Sequence, residues 1–288
     1  YLSVHYTAPH SPWTGHPKEI VDSYDDCAFD SCPQEDIHPW ASGHPLSEGC
    51  LGKREMLKGY FAAVTAMDCE IGRILDKLED QGLREDTLVI FVSDNGFSCG
   101  HHGFWGKGNG TYPPNMYENS IKVPFVVSHP GRIAAGSVQR AMVSAYDFMP
   151  TLLDYLDLPL PEGVQLPGQS ALSLLQGAGE VGRDEVVIYD EYGSTRMVRT
   201  EEWKYVHRYH DGPHELYDLI NDPDERENLV GDPRQVERIE EMKRRLLDWF
   251  ARFVVAERDG RDFDITGKGQ LRPIGGKWED GKLPFAQE

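Results

Sequence analysis

Three short stretches of this 288-residue chain carry side chains whose type and spacing could do chemistry. The first is Ser93-Asp94-Asn95-Gly96, which directly follows the apolar run Thr87 to Val92. A carboxylate beside an amide oxygen offers hard donors suited to Ca²⁺ or Mg²⁺, and open α/β sheets collect ligands at the carboxyl ends of their strands. Asp-Asn-Gly is also common turn chemistry, so the tetrapeptide by itself leaves both readings open. The second stretch, Cys99 to Gly110, sets His101, His102 and Lys107 among glycines. Such a loop lets backbone and a cation approach an anion closely, although a flexible surface loop has the same composition. The third, Ala8-Pro9-His10-Ser11-Pro12, holds a histidine between prolines. Fixed backbone on both sides aims an imidazole that titrates near neutrality, as a general acid requires, while a lone histidine is equally a structural residue.

These residues need elements to position them. Met56, Tyr60, Val64, Met67, Ile71, Ile74 and Leu78 recur at spacings of three and four, which predicts a helix with one buried face that stops at Gly82. The run Thr87 to Val92 then reads as a strand covered on both faces, feeding a parallel sheet, and Val123 to Val127 as a second strand. Ser144-x-x-Asp147 is a capping box ahead of Phe148, Leu152 and Leu156. Tyr1 to Tyr6 reads as a strand ending at Ala8-Pro9. Beyond a Pro and Gly-rich stretch come short strands at Val186 to Tyr189, Arg196 to Arg199, Trp203 to Val206 and Glu215 to Leu219, then an amphipathic helix through Val236, Ile239, Met242, Leu246, Phe250 and Phe253. The expected organisation is an α/β domain over residues 1–180, a smaller α+β unit over 181–258 and an irregular tail over 259–288.

Composition narrows the partners. With 29 Lys plus Arg against 48 Asp plus Glu the net charge is −19, which repels nucleic acid and anionic lipid. No apolar run approaches the roughly 20 residues of a membrane span. Five cysteines, Cys27, Cys32, Cys50, Cys69 and Cys99, have no zinc spacing; free thiols, or one bridge from Cys27 or Cys32 to Cys50, are both compatible with them. The acidic cluster Asp22, Asp25, Asp26 and Asp30 reads as solvated surface.

The ordered set of motifs closely resembles the sulfatase family of the alkaline phosphatase superfamily. It comprises Ala8-Pro9-His10-Ser11-Pro12, Met67-Asp68-x-x-Ile71-Gly72-x-Ile74-Leu75, Thr87 through Gly96, and Gly100-x-His102-Gly103-x-Trp105-x-Lys107. Met116 through Pro124 and Asp147-x-x-Pro150-Thr151-Leu152-Leu153 continue it, and Trp203-Lys204-Tyr205 and Glu215-Leu216-Tyr217-Asp218-Leu219 resemble the family's C-terminal subdomain. Residues 11–50 and the tail lie outside the resemblance.

The resemblance implies a partial alkaline-phosphatase-like sulfatase core, a mostly parallel sheet flanked by helices, with a small C-terminal antiparallel sheet plus helix. It implies a sulfuric ester hydrolase acting on a sulfated carbohydrate or small molecule, exported to the periplasm or secreted, with Ca²⁺ and a formylglycine nucleophile. Asp94 and Asn95 match metal ligands, His10 matches the acid for the leaving alcohol, Lys107 matches the sulfate-binding lysine, and His102 falls where the substrate pocket is lined. Lys122 is a second cation close to the Lys107 motif. No Cys is followed by x-Pro-x-Arg, the one Ser so followed, Ser128, comes after the second strand, and no Asp pair ends the first strand. The chain therefore reads as the latter part of such an enzyme, inactive by itself, with the nucleophile expected ahead of Tyr1. A phosphonate monoester or phosphodiester hydrolase of the same superfamily is the nearest alternative. A non-catalytic anion-binding protein is the other, if the protein begins at Tyr1.

Overall fold

The computed structural model describes residues 1–177, 182–190 and 193–262. By proximity of its Cα positions the chain divides into two units, Tyr1–Arg132 and Ile133–Glu288.

In the first unit the short helices α1 (Lys18–Asp22) and α2 (Pro45–Cys50) precede the long α3 (Arg54–Asp80). The spacing of Met56, Tyr60, Val64 and the residues after them made α3 legible, and it ends as the sequence predicts: Leu83 N–H reaches back to Leu78 O at 2.9 Å and Gly82 N–H to Glu79 O at 2.8 Å. Strand β1 (Val89–Val92) follows, then the two-residue strands β2 (Ser98–Cys99) and β3 (Trp105–Gly106), helix α4 (Glu118–Ile121) and strand β4 (Phe125–Ser128). β2 and β3 pair as a hairpin, Ser98 opposite Gly106 and Cys99 opposite Trp105.

β1 departs from its expected surroundings. Among the described residues it pairs with β4 alone, antiparallel, with Val89 opposite Ser128 and Val92 opposite Phe125. A parallel partner needs a helical crossover; the connection from β1 to β4 is instead spent on the hairpin and the four-residue α4, and it returns the chain along its own edge. Nor is the strand covered on both faces, since Val92, Phe125 and Val126 are exposed. Residues 1–6 form no strand either. They are exposed and, among the described residues, have no ladder partner to hold them extended.

Residues 11–50, which lack any apolar period, nevertheless build the core of this unit. Phe29, Cys50, Leu57, Cys99 and Trp105 are buried together, with Trp13, Tyr24, Tyr60, Phe61 and Phe97 packed around them. Aromatic edges and faces do the packing: Trp13 lies 5.3 Å from Trp105, and Tyr60 stacks on Phe97 at 5.5 Å. Asp22, Asp25, Asp26 and Asp30 stay exposed, as their composition predicts. All five cysteines are free thiols, and the thiol that meets Cys32 is Cys99, not Cys50.

The second unit contains α5 (Phe148–Tyr155), α6 (Leu172–Leu175), strands β5 (Val186–Tyr189), β6 (Thr195–Arg199), β7 (Trp203–Arg208) and β8 (Glu215–Asp218), and α7 (Val236–Phe253). The capping box is formed, Ser144 N–H donating to Asp147 Oδ2 at 2.8 Å. The four strands make an antiparallel meander in sequence order. Met242, Leu246 and Phe250 of α7 bury against Val187, Val198, Tyr205 and Leu216 of the sheet, as the strand alternation and the helical period together require. At the sheet Lys204 pairs with Glu225 at 2.6 Å and Arg208 with Glu215 at 2.7 Å, all four side chains buried. The tail predicted beyond 258 lies, from residue 263, outside the described residues.

A buried imidazole in β7 is expected to make this unit acid-sensitive. His207 stacks on His214 with ring centres 4.3 Å apart and is bonded to Tyr205 Oη at 2.9 Å. Burial first, then the neighbouring His214, push its pKa down to about 4 from an ordinary 6.5. As pH falls through 6.5 the unfolded chain takes up a proton that the folded chain refuses until about 4. The stability this residue contributes is therefore complete above pH 6.5 and lost progressively toward 4, by roughly 3 kcal/mol. Urea midpoints measured across that window should fall with acidification in the parent, and fall distinctly less in His207→Gln.

Candidate active site

Where β1 ends, the chain turns through Ser93-Asp94-Asn95-Gly96. Ser93 Oγ donates to Asn95 O at 2.9 Å, and Asn95 Nδ2 to Gly96 O at 2.7 Å, which fixes the amide with its Oδ1 pointing away from the turn. That Oδ1 accepts from Lys107 Nζ at 3.1 Å. Asp94 beside it is exposed, with Ser93 Oγ 3.5 Å from its Oδ1. The structure thus brings together two of the residues singled out from the sequence, the half-buried Lys107 and Asn95, with Asp94 the neighbouring residue in the turn. Lys122, the second cation, is exposed, with Nζ 3.9 Å from Glu118 Oε2.

The turn is more than loop chemistry because of what Gly96 touches. Its N–H donates to Ser120 O at 3.0 Å, and a Cβ there would stand 2.2 Å from Asn119 O and 2.9 Å from Lys122 O. Those are backbone atoms at the end of α4 and cannot swing aside. Gly96→Ala is therefore expected to push Asp94 and Asn95 off α4, costing about 1–3 kcal/mol of stability together with affinity for any cation held there. Denaturant unfolding beside calorimetric Ca²⁺ titration checks both.

Lys107 follows β3, and its loop is held by a residue that sequence reasoning missed. Asn115 is fully buried; its Nδ2 donates to Lys107 O and Gly108 O, both at 3.2 Å, and to Thr111 Oγ1 at 3.1 Å, while its Oδ1 accepts from Ser120 Oγ at 2.6 Å. One side chain thereby ties the lysine loop to α4, which in turn seats the Asp94 turn. The pair of prolines immediately before Asn115 was the available signal that this backbone is fixed.

His10 is exposed. Its Nδ1 donates to Ser11 O at 2.8 Å, which leaves Nε2 directed outward. Its loop is anchored through Trp13, whose Nε1 donates to Pro9 O at 2.7 Å and whose ring packs against Phe97 and Trp105, either side of β2. His102 lies flat on Tyr117, ring centres 3.8 Å apart, in left-handed backbone at φ 55°. Tyr117 in turn meets His38, whose Nδ1 accepts Trp40 N–H at 3.0 Å, so that Nε2 carries the proton toward Tyr117 Oη at 3.3 Å. His38 and Tyr117 join the surroundings of the loop without having been singled out for the site. His10 and His102 are therefore held by contacts of their own, separate from the Lys107–Asn95 pair.

Asp94 and Asn95 fit a hard cation in kind, being oxygen donors, and would supply two of the six to eight ligands Ca²⁺ takes. Among the described residues no three His, Cys, Asp or Glu side chains gather in metal-binding geometry.

Comparison with known proteins identifies the family. The family model described as sulfatase matches residues 1–158, and that described as N-sulphoglucosamine sulphohydrolase, C-terminal, matches residues 100–251. An arylsulfatase of Clostridium perfringens is 28% identical over 94% of this chain and 56% of its own length. A solved structure of a protein in complex with its substrate D-glucosamine-2-N,6-O-disulfate is 30% identical, with TM-score 0.61 over 69% of this chain and 41% of that one. The phosphonate monoester hydrolase of Agrobacterium radiobacter is 29% identical, with TM-score 0.60 over 76% and 46%. The chain spans about half the length of the curated relatives it matches. Its fold is the alkaline-phosphatase-like fold of these structures, helices and sheets with a small antiparallel sheet following. With a sulfatase model aligned from Tyr1 past α5, over more than half of the residues, the chain belongs to the sulfatase family.

Proposed function

We propose that the protein carrying this chain hydrolyses sulfate esters of a carbohydrate or related small molecule. The observation that carries the reading is the contact between Lys107 Nζ and Asn95 Oδ1 at 3.1 Å, beside the exposed Asp94 and at the carboxyl end of β1. A sulfate group presents three oxygens that share one negative charge. Lys107 would bind and orient them, and would offset the charge that builds as the ester bond breaks. Asp94 and Asn95 would hold Ca²⁺, Mg²⁺ being the poorer match for so open a pair of donors, and the ion when bound supplies Lewis-acid withdrawal of charge from the sulfate. His10, its Nδ1–H bonded to the Ser11 carbonyl, would as the imidazolium give a proton from Nε2 to the departing alcohol. His102, stacked on Tyr117, would line the pocket. The formylglycine expected as nucleophile has no cysteine precursor motif among these residues, and the one Ser-x-Pro-x-Arg starts at Ser128, opposite Val89, at the end of β1 away from Asp94.

Phosphonate monoester hydrolysis is the second reading, supported by the likeness to the Agrobacterium radiobacter enzyme. The whole protein, assayed on a sulfate ester, a phosphonate monoester and a phosphodiester of one leaving alcohol, separates the two. A kcat/KM highest for the sulfate is expected, and a higher value for the phosphonate overturns the first reading.

A further inference from the structure

A cleft of about 420 Å³, lined by Phe29, Asp30, Cys32, Gln34, Arg54 and Leu57, lies outside the residues assigned to the site. Cys32 is half-buried on its wall, and its thiol meets that of Cys99, which is buried at the end of β2 in the aromatic core. The two backbones are clamped by one side chain: Gln34 Nε2 donates to the carbonyls of both Cys32, at 3.0 Å, and Cys99, at 2.7 Å. Gln34 Oε1 accepts Gly52 N–H at 3.1 Å, which holds the clamp in place from the other side.

We propose that Cys32 and Cys99 are a redox pair that closes reversibly to a disulfide on exchange with a low-molecular-weight disulfide such as oxidised glutathione. The geometry divides the labour between them. Cys32 faces the cleft and can be reached from solvent; Cys99 cannot. The contact with Cys99 brings the Cys32 thiol down to about 7, so a large share of it is thiolate near neutrality, while the same contact and burial push Cys99 upward. Cys32 thiolate attacks one sulfur of the donor, forming a mixed disulfide and expelling the first thiolate. That removes the negative charge holding Cys99 protonated. Cys99 then gives its proton to the departing thiolate and attacks Cys32 Sγ, which releases the second thiol. The two cysteines lose two electrons and two protons, and the donor is reduced to two thiols. The bond would join the segment around Cys32 to the hairpin that leads to Lys107.

The test is peptide mapping of the whole protein without reduction, after incubation with oxidised glutathione. The expected product is a Cys32–Cys99 linked peptide pair, about 2 Da lighter than the two free peptides and released by dithiothreitol. It should persist in Cys27→Ser and Cys50→Ser and vanish in Cys32→Ser. In the reduced parent, iodoacetamide at pH 7 should label Cys32 at least about tenfold faster than Cys50. A glutathione adduct that stays on Cys32, a bridge through Cys27 or Cys50, no reaction, or equal labelling rates overturns the proposal. Because the mapping and labelling use the parent protein, a variant that fails to fold leaves the test intact.

Discussion

Lys107→Ala is expected to lower kcat/KM of the whole protein for a sulfate ester by about 10²–10³-fold, the scale on which removal of one preorganised charge-stabilising donor acts. Stability should change by only about 1 kcal/mol, because the loop owes its shape to Asn115 bonding the Lys107 and Gly108 carbonyls, which the substitution leaves in place. Lys107→Arg should restore little: a compact ammonium fits against Asn95 Oδ1 at 3.1 Å, whereas a planar guanidinium is longer and distributes its charge over a fork. Lys107→Met keeps the aliphatic stem and should resemble the alanine variant, which assigns the loss to the charge. Steady-state kinetics on all three variants, with Lys122→Ala beside them, decide the matter. A Lys107→Ala activity within threefold of the parent, together with a large loss in Lys122→Ala, would move the anion-binding role to Lys122.

Asp147→Ala is expected to cost about 3–5 kcal/mol, the usual penalty for taking one partner from a buried ion pair. The Asp147 carboxylate is almost wholly enclosed, and it holds both backbone amides and the Arg183 guanidinium. It accepts Ser144 N–H and Gln169 N–H, each at 2.8 Å, and Arg183 Nε at 2.7 Å, and it is also bonded by Arg183 Nη2. Arg183 stands over the Tyr146 ring at 4.5 Å and donates to Pro167 O at 2.8 Å. Deleting the carboxylate leaves a mostly buried guanidinium and two amides without their acceptor. Asp147→Asn should recover part of the loss, since its oxygen can still accept. The double substitution Asp147→Leu with Arg183→Met should be less harmful than Asp147→Ala alone, because no charge is then left buried. Urea unfolding of the parent, the double variant and its two single substitutions, Asp147→Leu and Arg183→Met, closes the cycle; a strictly additive result would show that the pair is not coupled.

How much of this could be read from residue order differs between the two units for a physical reason. The strands of the second unit were legible as short runs cut by turn residues, and α7 by the three-and-four spacing from Val236 to Phe253, whose buried face packs on Val187, Val198, Tyr205 and Leu216. The Ser144 capping box was equally plain, but its Asp147 was credited with a helix start alone. The partner Arg183 is distant in sequence, and no spacing rule connects the two. In the first unit α3 was plain and β1 was located, yet an apolar run carries no record of whether anything covers it, and Val92, Phe125 and Val126 proved exposed. Residues 11–50 pack through Trp13, Tyr24, Phe29 and Cys50 on irregular backbone, which leaves no period to find. At the site, residue type drew attention to Asp94, Asn95 and Lys107 but left turn and ligand readings open, and their roles came from the resemblance. Asn115 escaped because its work is done on main-chain carbonyls, to which any side-chain pattern is blind.

The way residues 33–38 lie along the glycine loop also bears on how the site could be re-engineered. Gly103, in left-handed backbone at φ 69°, has no room for a side chain: a Cβ would stand 1.8 Å from Asp36 O, and His38 N–H already donates to Gly103 O at 2.9 Å. Two stretches more than sixty positions apart in the sequence are thus cut to one pattern. A chimera that imports the 98–106 hairpin from a relative to alter selectivity would bring only half of a mated pair. Libraries aimed at new substrates should therefore recombine the two stretches as a single cassette, with the crossover points placed outside both.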